Sequence, residues 1–274
     1  MIKGIEFTTL FGIIVGIMAV VGAMIFKHIS FSVLINPAAF LVIFVGTAAT
    51  ILNAYPGRDL KNLGKLFKIL FTTDKSIGNE RHIIERIMEF SERSRKEGLL
   101  SLETTLATVD DPFMGKALRM IIDAHTEEHV RDVLTGEIEA MVERHNSNAS
   151  IFTSAGMYAP TLGVLGAVFG LIAAMRHIDN TQAMSEAIAA AFIATILGIF
   201  TGYVLWTPFA TKLKTKSKHE AFEKMLIIEG MLSVQKGEPP MIVKEKLISL
   251  LSNTEQSKYG TKKKSGTGTE ESSS

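Results

Sequence analysis

Apolar residues in this chain are gathered into four blocks, at roughly 7–26, 33–52, 151–175 and 187–210, and none of the four contains Asp, Glu, Lys, Arg or His. At about 1.5 Å per helical residue, a block of about 20 residues matches a hydrocarbon layer about 30 Å thick. A helix buried in a soluble core is seldom so long and so apolar on every face. The pattern therefore predicts four membrane-spanning helices, hence an all-α integral membrane protein. The first block does not read as a cleaved signal peptide: Lys3 is the only base before it, Glu6 is acidic, and the apolar run exceeds the usual length.

The stretches between the spans carry helical signals of another kind. In "NERHIIERIMEFSERSRKEG", Asn79 stands at a cap position, Ile83, Ile84, Ile87 and Met88 form an apolar face, and Gly98 marks a stop. In "DDPF", Asp111 is a cap and Pro112 the first helical residue. A further helix starts near Thr126 and meets no strong breaker before span 3, so one long helix is expected to leave the membrane there. Span 4 is expected to continue in the same way to the stop "GEPP", followed by a short helix over 241–251. The organisation expected is spans 1 and 2 in 1–52, a polar helical domain in 53–150, spans 3 and 4 in 151–210, a helical extension in 211–252, and a disordered tail in 253–274.

Basic residues orient the spans. Arg58, Lys61, Lys65 and Lys68 follow span 2, and Lys212, Lys214, Lys216 and Lys218 follow span 4, whereas the connections 27–32 and 176–186 are short and nearly free of bases. Both termini and the 53–150 domain are thus expected in the cytoplasm, with the protein in the cell (inner) membrane. Formal net charge is +1, which gives no global field for nucleic acid, and cysteine is absent, which removes disulfides, thiolate metal sites and cysteine nucleophiles.

Enzyme signatures are missing: no phosphate loop, dinucleotide fingerprint, HExxH or GxSxG occurs. His125 and His129 stand four apart, but Glu127 and Glu128 lie between them and no third ligand is in view, so they read as an exposed polar face. No enzyme activity, cofactor or metal is expected. What the spans do hold is small and neutral. The pairs Gly12/Gly16, Gly166/Gly170 and Gly198/Gly202 sit at helix-contact spacing, which lets backbones approach closely in lipid. Pro160 and Pro208 each remove a helical hydrogen bond and free a carbonyl about one turn earlier, near Gly156 and Val204. An ion relay normally needs a titratable group within the membrane. Since this chain has none, either it conducts no ions or a second subunit brings the carboxylate.

Three stretches, "APTLGVLGAVFG" in span 3, "AFIATILGIFTGYVLWTPFA" in span 4 and "SRKEGLLSLE" in the polar domain, together resemble the MotA family. These are the larger membrane subunits of bacterial flagellar stators, in the wider group that includes ExbB and TolQ, and the resemblance runs from span 1 to about residue 250. It implies a homo-pentamer in the lipid bilayer around two copies of a single-span MotB-like partner, each copy supplying one intramembrane aspartate. Pro160 and Pro208 match the family's span prolines, Thr195 matches a threonine facing the ion route, and Ala194 is the small residue beside it. Ala167 and Ala194 stand where sodium-driven relatives carry hydroxyls, so the resemblance implies proton coupling. Arg95 and Glu103 match a charged pair that engages the rotor protein FliG. Three readings compete: a self-contained ion channel, an ExbB/TolQ-type subunit (against which the first two spans count), and a structural membrane scaffold.

Overall fold

In the computed structural model, residues 6–29, 34–72 and 79–260 are described, and among them there is no β-strand. Helices α1 (Phe7–Phe26) and α2 (Pro37–Ala54) are the first two spans. Two short helices follow, α3 (Gly57–Leu60) and α4 (Leu63–Phe71). Then come α5 (Glu80–Glu97), a 3-10 run (Leu99–Thr108) and α6 (Pro112–Ile122). Helix α7 (Glu127–Met175) carries span 3 and α8 (Thr181–Gln235) carries span 4. The described chain ends with α9 (Pro240–Leu250) and α10 (Asn253–Gly260).

Local chemistry explains the boundaries. Asn36 caps α2, its side-chain oxygen accepting from the N–H groups of Ala38 at 3.1 Å and Ala39 at 3.2 Å, with Pro37 in the first turn. Asn180 caps α8 in the same way, at 3.1 Å from both Gln182 and Ala183. Span 4 therefore begins at Thr181, several residues earlier than hydropathy alone places it. Asp111 accepts from Met114 N–H at 2.9 Å, whereas Asn79 stands before α5 without a side-chain cap bond. Gly98 at φ +84° and Gly237 at φ +70° end α5 and α8 in a conformation that side chains resist. The connection after α1 lies partly outside the described residues.

The contact pattern divides the chain into two units, Met1–Asp74 with Val142–Lys218, and Lys75–Met141 with His219–Ser274. The first unit holds the four spans. Residues 57–71, grouped by sequence with the polar domain that follows, pack here. The apolar face of α4, including Leu66 and Leu70, closes on Phe152, Phe209 and Leu213. Phe67 meets Phe152 edge-on with ring centroids 5.3 Å apart. Only 11% to 33% of each span's most apolar window is buried within the chain, so most of the surface of the spans is left for lipid or other subunits.

The second unit has its own core, in which Ile83, Ile84 and Ile87 of α5 pack with Leu102, Leu118, Leu134, Leu226 and Met231. Helix α10 departs from the expectation of a disordered tail from Asn253. Tyr259 packs half-buried against this core, and Gln256 donates to the Leu251 carbonyl at 2.8 Å. One anchored aromatic and one side-chain cap thus hold an otherwise polar segment. The remainder of the expected tail, 261–274, lies outside the described residues.

Candidate functional site

Spans 3 and 4 cross with almost nothing between their backbones. A side-chain carbon added at Gly198 would lie 2.7 Å from the Ala159 carbonyl oxygen and 2.8 Å from Gly163 Cα. One added at Gly170 would lie 2.8 Å from Ala191 Cβ, and one at Gly166 3.1 Å from Ala194 Cβ. Two of the three glycine pairs expected from spacing are used in this crossing. The third is used by half, since Gly16 abuts Val204 while Gly12 has nothing near it.

The two prolines behave differently. Pro160 sits inside an uninterrupted α7, with its ring against Gly202, where an added carbon would strike it at 2.7 Å and the Gly156 carbonyl at 2.9 Å. The carbonyl that Pro160 frees therefore faces a bare Cα, an arrangement that permits a weak C–H···O contact. Pro208 is preceded by a π turn, Thr201–Trp206. The Thr207 N–H bonds the Gly202 carbonyl, and the Thr207 hydroxyl also donates to it at 2.9 Å. In that register the carbonyl opposite the missing Pro208 N–H is Tyr203's, one residue before the Val204 expected of a regular α-helix. Such π turns cluster at functional places in helices. A second one, Leu41–Val45, lies in span 2.

The remaining span residues separate by exposure. Thr195 and Ala167 are half-buried, as is Pro160, and Pro208 is exposed, whereas Ala194 is enclosed with Ala39, Ile43 and Ala159 at 2% exposure. The Thr195 hydroxyl donates to the Ala191 carbonyl at 3.4 Å, so its lone pairs remain to accept. Ala194 thus shapes the crossing rather than a free face, while Thr195, Ala167 and Pro160 keep part of their surface open.

One charged cluster escaped the sequence reading. Glu6 meets Lys212 at 2.8 Å and Lys216 at 2.7 Å, and Lys216, only 7% exposed, also donates to the carbonyls of Ile69 at 2.7 Å and Thr72 at 2.8 Å. Lys216 thereby caps the C-terminal end of α4. Topology held the signal: with an even number of spans, an acid before span 1 and bases after span 4 share one side. Burial pushes the Glu6 carboxyl up, but the Lys212 and Lys216 ammonium groups outweigh it and hold it below the usual carboxylate value. A depressed carboxyl contributes stability above its ordinary pKa and loses it as pH falls through the lower folded value. Lys216→Met is expected to lower unfolding stability by about 2 kcal/mol, because Glu6 loses one of its two cations and the Ile69 and Thr72 carbonyls lose their charged donor. In thermal unfolding, Glu6→Gln is expected to be destabilising at pH 7, with the difference from the parent disappearing only once the pH falls below the lowered folded pKa of Glu6.

In the second unit, the charges of α5 are largely satisfied along the helix. Lys96 pairs with Glu92 at 2.6 Å, Arg93 with Glu97 at 3.2 Å and Arg86 with Glu89 at 2.9 Å. Arg95 and Glu103 are both exposed and appear in no ion pair among the described residues. Gly98 breaks the helix between them, so they occupy different elements, with Leu100, 72% exposed, on the segment that joins them. The rings of His125 and His129 lie 5.0 Å apart on the exposed surface, and the described residues hold no group of three His, Asp or Glu placed to bind a metal.

A four-span helical protein with neutral, glycine-packed spans 3 and 4 defines a class, and comparison with known proteins places the chain within it. A sequence model of the MotA/TolQ/ExbB proton channel family matches residues 105–225. Motility protein A of Bacillus subtilis is 48% identical over 252 residues, covering 92% of this chain and 93% of the relative. Motility protein A of Helicobacter pylori is 36% identical over 231 residues, covering 84% and 86%. The solved flagellar MotAB stator complex from Bacillus subtilis superposes with a TM-score of 0.86 at 47% identity, covering 91% of this chain and 98% of that one. The chain belongs to the motility protein A family, multi-pass membrane subunits of the flagellar stator.

Proposed function

We propose that five copies of this chain form a ring in the cytoplasmic membrane around a MotB-like single-span partner, coupling proton flow to torque on the rotor protein FliG. Both termini and the second unit then lie in the cytoplasm. The observation that carries the reading is the chemistry of spans 3 and 4: residues 151–175 and 187–210 hold no Asp, Glu, Lys, Arg or His, yet they present a half-exposed Thr195 beside a bare-backbone crossing. Such a wall conducts protons only if a carboxylate comes from elsewhere, which the aspartate of the partner provides.

The Thr195 hydroxyl, with its proton committed to Ala191, accepts from a protonated carboxyl and has nothing to offer an ionised one. A proton entering from outside neutralises the aspartate, and the neutral acid passes along the apolar wall at Thr195, Ala167 and Pro160 more cheaply than the anion. The ring turns by a step, and the proton leaves to the cytoplasm. One charge crossing about 100 mV releases roughly 2.3 kcal/mol, several times thermal energy. Arg95 and Glu103 carry the motion to FliG as exposed charges.

The test is the intact mass of the complex purified in mild detergent from its native membrane. Five copies with two copies of a single-span protein bearing one membrane aspartate are expected, and a homo-oligomer without a partner overturns the reading. Proton coupling makes a separate prediction. Sodium needs several oxygen ligands to replace its water, and alanine at 167 and 194 supplies none. Swimming speed is therefore expected to be unchanged when sodium is replaced by potassium and to collapse with a protonophore. The reverse outcome removes proton coupling.

A further inference from the structure

A groove of about 440 Å³ runs between α1 and α8, with two unlike ends. Thr8, Thr9 and Lys212 line its polar end, and Gly12, Val204 and Phe209 line its apolar length. Lys212 is held in place by Glu6 at 2.8 Å and by the hydroxyls of Thr8, at 3.2 Å, and Thr9. Two ammonium groups, Lys212 and Lys216, face the one carboxylate of Glu6, and Lys214 and Lys218 are exposed on the same helix. That end of the spans is therefore net positive. The apolar part is open because of Gly12: a side chain there would meet nothing within 4 Å. Phe7 and Phe11 stand exposed on the same helix, as surface residues of a span do against lipid.

We infer that this groove binds an anionic phospholipid, its phosphate attracted by the charge of the Lys212 ammonium and accepting from the Thr8 hydroxyl, and one acyl chain along Gly12, Val204 and Phe209. Charge complementarity chooses the occupant. A cationic mouth at the end of a span, above an apolar channel, matches an acidic headgroup carried on hydrocarbon and not a wholly apolar helix. The inference depends on the proposed orientation only for which leaflet supplies the lipid.

The test counts phospholipids on the intact complex by native mass spectrometry after exchange into phosphatidylglycerol or phosphatidylcholine. The parent is expected to retain phosphatidylglycerol at least about fivefold better than phosphatidylcholine. Gly12→Leu fills the groove without a clash and is expected to abolish that excess. Gly22→Leu, at another glycine of α1 with nothing near it, is expected to leave the excess intact. Equal retention of the two lipids by the parent, or undiminished retention by Gly12→Leu, overturns the inference. Failure of Gly12→Leu alone to assemble also overturns it, because the groove is then a contact between copies. Orientation is read separately, from the side on which Ser252→Cys is labelled in sealed vesicles, so the two readings fail independently.

Discussion

Reversing the charge at Arg95 or at Glu103 is expected to cut swimming at least about tenfold while the complex is recovered from membranes at parental yield. Both side chains are exposed, and neither appears in an ion pair among the described residues, so neither contributes measurably to the fold. Their neighbours make the contrast: Glu92, Arg93, Lys96 and Glu97 are each engaged one helical turn away, leaving Arg95 as the cation on that stretch with no such neighbour. A long-range charge contact with a moving partner needs charges of this kind, fixed on rigid elements and not already spent locally. Gly98 at φ +84° sets Arg95 and Glu103 on different elements, so under the proposed rotor contact the two would present separate points. Arg95→Glu combined with Glu103→Lys is therefore expected to be as defective as either alone, since exchanging the charges does not restore the original pattern. Swarming on soft agar reads motility, and the intact mass reads assembly. Parental motility in the double variant removes the rotor assignment. Glu92→Lys serves as the control, because it disturbs only an exposed helical pair and is expected to change little.

The spans and some helix ends were legible because each depends on local chemistry, although Asn79, expected as a cap, makes no side-chain cap bond. Four uncharged apolar blocks specify four helices through the absence of backbone partners in lipid, and Asp111, Gly98 and Gly237 specify ends through hydrogen bonding and positive φ. What escaped depends on what packs against what. The amphipathic α4 announces an apolar face but not its partner, which is Phe152 and Phe209 and not the core of the second unit. Tyr259 gives no composition signal strong enough to overrule the polar residues around it. The π turn at Thr201–Trp206 has no sequence rule of its own, and it moves the carbonyl opposite Pro208 by one residue. At the candidate site, hydropathy and spacing found the glycines and prolines. Thr195 and Ala194 came from resemblance, and only the structure separates a half-exposed Thr195 from an enclosed Ala194.

The glycines of the crossing bear the largest structural consequence. Gly198→Val is expected to prevent recovery of the complex and to abolish motility altogether. Overpacking a close contact ordinarily costs about 1–3 kcal/mol, because neighbouring side chains can shift. Here the atoms met at 2.7 and 2.8 Å are the Ala159 carbonyl and Gly163 Cα, which are backbone, so the two spans must separate along their whole contact. In lipid no hydrophobic drive draws them back together, since lipid tails satisfy apolar surface as well as another helix does. Separation also withdraws Gly202 from the ring of Pro160 and pulls Ala194, the neighbour of Thr195, away from Gly163 and Gly166 of span 3. The variant therefore tests packing and ion route at once, and a second substitution divides them. Thr195→Val keeps the shape of the residue and removes the hydroxyl, so it is expected to assemble normally and lose most proton-driven swimming. Recovery of Gly198→Val at parental yield contradicts the crossing. Normal swimming by Thr195→Val contradicts the hydroxyl's part in the route and leaves the crossing standing.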